Sequence, residues 1–84
     1  MTIRQARFIA RKIKAFYENN YAWWEIEDLP TVENLAKEIR KDPAGVSEIF
    51  RREYDNFNNE WNTRERTQIY TILDIINHPE FIEF

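Results

Sequence analysis

Eighty-four residues with a net charge of −3 and thirteen aromatics (Trp 3, Tyr 4, Phe 6) make one small domain. Its core must be efficient, because a chain of this length buries only ~60% of its unfolded surface. No cysteine is present, which excludes disulfides and thiolate metal sites and points to a reducing, cytoplasmic setting.

The apolar stretches are short and interrupted by charges, and the first residues lack the apolar run of a signal peptide. Neither a membrane span nor export is expected. The single Gly and the shortage of alternating β-branched runs argue against strands, while a 3.6-residue period recurs throughout. The expected fold is all-α: a compact bundle of about four helices, with residues 1–84 forming a single helical domain.

The first helix is predicted from Ile3 to about Asn19, opened by Thr2 with Gln5 at the spacing of a capping box. Ala6, Ile9, Ala10, Ile13 and Phe16 recur at three- and four-residue intervals and form its core face, flanked by Phe8 and Tyr17. The same helix gathers Arg4, Arg7, Arg11, Lys12 and Lys14 before the first acid, Glu18, so the remaining seven bases face all fifteen acids. Arg4, Arg7, Arg11 and Lys14 share one narrow sector, a basic ridge roughly opposite Ile9. Cations near a helix N-terminus oppose the macrodipole, and like charges at this spacing each cost ~0.2 to 0.5 kcal/mol. The functional reading is a contact for phosphates or for an acidic protein surface; the structural one is a solvated face balancing an acidic remainder.

Residues 21–30 (Tyr-Ala-Trp-Trp-Glu-Ile-Glu-Asp-Leu-Pro) show no clean period and read as an aromatic, acidic connection. Trp23 and Trp24 sit among Glu25, Glu27 and Asp28, with Glu18 and Glu33 nearby. Large rings rimmed by charge have the make-up of an interface hot spot; the alternative is that both rings lock the connection onto the core.

Thr31 caps the second helix, whose buried face is Val32, Leu35, Ala36 and Ile39. Asp42 and Pro43 end it and start the third, Asp42 accepting orphan N–H groups and Pro43 standing where a missing N–H costs nothing. The third helix is expected to bury Val46, Ile49, Phe50, Tyr54 and Phe57. Asn62 and Glu65 repeat the capping-box spacing before a fourth helix with Ile69, Ile72, Leu73 and Ile76 inward, ending near Asn77 and His78. His78 is expected to act as a C-terminal cap, and the apolar tail Phe81-Ile82-Glu83-Phe84 to pack on the bundle or on a partner.

Leu35-Ala36-Lys37-Glu38, Pro43, Val46-Ser47, Ile49-Phe50 and Arg51-Arg52-Glu53 together resemble the helix-turn-helix unit of AraC-type transcription regulators. Phe16 to Tyr21 is similar to the end of the helix leading into that unit, so the likeness reaches over residues 16–57. Ala36 gives the small residue that lets the two helices approach, and Leu35, Ile39, Val46 and Ile49 would close the wedge between them. The chain departs from the family at Arg40, where a Gly is usual, and at Lys41, where an apolar residue is usual; a looser or differently angled turn is expected. The resemblance implies that the third helix enters the DNA major groove, exposing Ala44, Gly45, Ser47, Glu48 and Arg51. Arg51 would take a guanine edge, Ser47 a phosphate or base, and Arg4, Arg7, Arg11 and Lys14 the phosphates.

No nucleophile constellation, Gly-rich phosphate loop or metal-ligand spacing occurs, so no catalytic residue, metal or cofactor is expected and the protein is read as non-enzymatic. Two functions follow. The first is a small helix-turn-helix-like DNA-binding protein, such as a mobile-element regulator, with dimerisation supplying contacts that an acidic monomer lacks. The second is an inhibitor or adaptor that binds a host protein through Trp23, Trp24, Glu25, Glu27 and Asp28. That kind of compact, acidic, aromatic-rich protein is found among phage and prophage accessory proteins in host takeover or counter-defence.

Overall fold

Thr2 opens the first helix, α1 (Ile3–Asn20), through a complete capping box. Its hydroxyl accepts the Gln5 N–H at 3.1 Å while the Gln5 side chain accepts the Thr2 N–H at 2.8 Å. In the computed structural model, which describes residues 1–57 and 60–84 without the side chains of Trp23 and Glu60, α1 is followed by α2 (Val32–Lys41), α3 (Pro43–Asn56) and α4 (Thr63–Asn77). Short 3-10 turns lie at Trp23–Glu25, Glu60–Asn62 and Pro79–Phe81. Among the described residues there is no strand, and the all-α four-helix bundle is the fold.

The expected face of α1 is the centre of the core: Ala6, Ile9, Ala10, Ile13 and Phe16 are all buried. It packs on Ala36 and Ile39 of α2, Phe50 of α3, and Ile69, Ile72, Ile75 and Ile76 of α4 in one cluster. Helix α1 lies between α2 and α4, and α3 packs more broadly on α4 than on α2. Phe16 joins these elements by edge-on contacts to Phe50 at 5.9 Å and Phe57 at 6.0 Å between ring centroids. Asn20 ties the end of α1 to α4, donating to the Phe16 carbonyl and to Gln68, both at 2.8 Å.

Helices α2 and α3 are separated by Asp42 alone. Its carboxylate accepts the Gly45 N–H at 3.0 Å, with Pro43 in the first turn, as the Asp-Pro pair predicts. A Cβ at position 45 would overlap that same carboxylate, so glycine leaves the cap in place where a larger residue would displace it.

Three expectations change. Ile49, assigned to the core face of α3, is half exposed at 52%, while Ser47, assigned to the outer face, is buried at 7%. The broad packing of α3 on α4 turns the helix so that the Ser47 hydroxyl reaches Asn77 Oδ1 at 3.4 Å. Asn62 makes no side-chain cap bond. The 3-10 turn before it holds Asn62 at φ −107°, ψ 32°, away from the extended backbone a capping side chain needs.

The tail packs on the bundle. Ile82 rests against the core, Phe84 meets Phe8 edge-on at 5.8 Å, and Gln5 Nε2 donates to the Pro79 carbonyl at 3.3 Å. His78 closes α4 through its backbone N–H to the Asp74 carbonyl at 2.9 Å, and its ring stacks on Phe81 at 4.9 Å.

Candidate functional site: an open groove and an acidic connection

The basic ridge is partly consumed by the fold. Arg7 forms a forked pair with Glu33 across α1 and α2, Nε to Oε1 at 2.8 Å and Nη2 to Oε2 at 3.2 Å. The Arg4 guanidinium lies 4.0 Å over the Phe84 ring, and the Lys12 ammonium 5.5 Å from the Phe8 ring centre. Arg11 is exposed and Lys14 half-buried. The one-sector arrangement read from the helical period therefore divides into two tethered arginines, Arg4 and Arg7, and two cations, Arg11 and Lys14, without an ion pair among the described residues.

On α3, Arg51 is exposed and approaches Glu48 only loosely, at 3.9 Å, as does Arg52. Ser47, one turn earlier on the same side of α3, is buried at 7% with its hydroxyl on Asn77 of α4. Arg51 is therefore open to solvent where Ser47 is not.

The acidic connection stands outward. Trp24 is 64% exposed, and Glu25, Glu27 and Asp28 are exposed as well. Glu25 folds back to accept the Ala22 N–H at 3.0 Å, fixing the turn that presents Trp24. The side chain of Trp23, the other ring expected in this cluster, lies outside the described residues.

Beside this connection runs a groove of about 290 Å³. Ile13 and Tyr17 of α1 form its floor with Phe50, and Leu29 and Pro30 of the connection form one wall. Leu35 and Glu38 of α2 face Val46 and Ile49 of α3 across it. Three of the four residues expected to close the α2–α3 wedge, Leu35, Val46 and Ile49, thus border open space; Ile39 alone is fully buried.

Among the described residues Glu38 is the one carboxylate that lines the groove; outside that lining, Glu53 accepts the Tyr21 hydroxyl at 2.7 Å, with the Tyr21 ring 5.3 Å from that of Tyr17. Burial, then repulsion from Glu53, raises the Tyr17 hydroxyl above its ordinary value near 10. Burial and the hydrogen bond to Glu53 raise Tyr21 further. Both phenols stay neutral donors at physiological pH.

Among the described residues no group of three His, Cys, Asp or Glu is placed to hold a metal ion, and no helix is long and apolar enough to cross a membrane. No family model, curated protein or solved structure matches the chain.

Proposed function

We propose that this protein is a small non-enzymatic protein-binding module, an inhibitor or adaptor that engages its partner through the acidic aromatic connection and the groove beside it. The observation that carries this reading is Trp24, presented to solvent in a turn braced by Glu25 and flanked by Glu27 and Asp28. An exposed ring of this size contributes most when desolvated at the centre of an interface, with charged neighbours excluding water at the rim. The same carboxylates repel a polyanion, which disfavours DNA on this face.

The DNA-binding reading draws on the exposed Arg11 and Arg51. It needs both to reach one duplex without Ser47, and with Arg7 already held by Glu33.

Affinity capture from a host lysate, with and without nuclease, separates the two. The protein-binding reading expects partners that survive nuclease and are lost with Trp24→Ala, a variant first shown to keep its denaturation midpoint. Partners that vanish with nuclease, or nuclease-resistant partners that Trp24→Ala retains in full, overturn it.

A further inference from the structure

The groove between α2 and α3 has one wall from each helix and a third from the connection, so the chain's own elements frame it without filling it. Ile49 at 52% exposure is its outer lip. At about 290 Å³ it sits at the low end of ligand cavities, ~300 to 1,000 Å³, a size suited to a pair of side chains rather than a whole cofactor.

Its charge is one-sided. The only ionisable groups lining it, among the described residues, are Glu38 and the neutral Tyr17; no Lys or Arg does so. Glu53 acts on Tyr17 through space. An apolar slot with Glu38 as its one lining charge favours apolar side chains that carry a cation beside them, because an acid there would meet like charge and a cation would gain a pair.

Building on the protein-binding reading above, we propose that this groove docks a basic amphipathic peptide segment of the partner. Apolar side chains enter between Leu35 and Ile49, and a Lys or Arg on the same segment pairs with Glu38. The recognition is of the helix-in-groove kind, with anchors at three- and four-residue spacing.

The probe is a synthetic amphipathic peptide of leucine and lysine at helical spacing, set against a counterpart with glutamate in place of lysine, and titrated into the isotope-labelled full chain. The leucine–lysine peptide should shift the Leu35, Val46 and Ile49 amides saturably, and the leucine–glutamate peptide should not. Glu38→Lys and Ile49→Ser, both at exposed positions, should each weaken binding tenfold or more while keeping the denaturation midpoint.

Equal binding of the two peptides overturns the proposal. So do shifts confined to Glu25–Asp28 that Ile49→Ser leaves unchanged, or groove resonances that broaden with protein concentration alone, which would mark a second copy as the occupant. Lysate partners lost with Trp24→Ala but kept by both Glu38→Lys and Ile49→Ser would remove the groove from the account and leave the protein-binding reading standing. The absence of any nuclease-resistant partner would remove that reading itself.

Discussion

Arg7 of α1 and Glu33 of α2 meet in a forked ion pair that draws one member of the basic ridge into the fold. Both side chains are about half exposed, 41% and 56%, so solvent screens the attraction and the pair contributes roughly 0.2 to 1 kcal/mol, with the forked geometry favouring the upper part of that range.

Charge exchange tests the pair. Arg7→Glu and Glu33→Arg should each lower the denaturation midpoint, and the double exchange should recover most of the loss. Full additivity of the two single effects would show that the pair contributes nothing.

The Asp42–Gly45 contact has a sign that depends on its partner. In an Asp42→Ala background, Gly45→Ala should stabilise α3 by about 0.8 kcal/mol through helix propensity. In the wild type the added methyl displaces the capping carboxylate, forfeiting ~0.5 to 2 kcal/mol and leaving the substitution neutral or harmful. A denaturant-melt cycle over the four variants reads the difference directly.

Ala36 is fully buried in the core cluster, whereas Lys37 is exposed. Ala36→Leu should cost ~1 to 3 kcal/mol by overpacking, and Lys37→Ala should stay within ~0.5 kcal/mol of the wild type. Comparing chemical-denaturation midpoints checks both; equal midpoints would contradict the packing.

Tyr21 and Tyr17 set an alkaline limit. Their hydroxyls titrate above the ordinary value near 10 in the folded chain, so the unfolded chain loses its protons first. This stabilising contribution is complete below pH ~10 and is lost progressively as pH rises above it. Tyr21→Phe should flatten the fall in stability across the alkaline range and lower stability modestly at neutral pH, where Glu53 loses a donor. Urea melts from pH 7 to 11 give the slope.

What could be read from the chain depended on whether a helix offered one face or two. In α1 the apolar residues Ala6, Ile9, Ala10, Ile13 and Phe16 admit a single orientation, and all five are buried. In α3 the core stripe is completed equally well at 47 or at 49, and hydropathy favours Ile49. Packing on α4 selected Ser47 instead, a choice that depends on the neighbouring helix and not on α3.

Local signals carried the Thr2, Thr31 and Asp42 caps, whose bonds span three residues. The Asn62 cap had the right spacing but met an incoming 3-10 turn. The Arg7–Glu33 pair spans 26 residues, too far for a periodic pattern to register, so the ridge looked freer in sequence than it is. In the candidate site, the acidic connection followed from composition, whereas the sequence left Trp24 open between an exposed anchor and a ring packed on the core, and the structure leaves it 64% exposed. The groove did not follow from composition, since the residues that line it are the ones that a tighter helix pair would have buried.

The packing of residues 79–84 on the first turns of α1 has a consequence for synthesis. Gln5 bonds to Pro79, and Arg4 and Phe8 touch the Phe84 ring, while the core face of α1 waits for Ile69, Ile72 and Ile76 of α4. Helix α1 is thus synthesised well before the residues that complete its enclosure. The apolar face of α1 stays partly open to chaperones, or to a partner already present, until α4 and residues 79–84 have emerged.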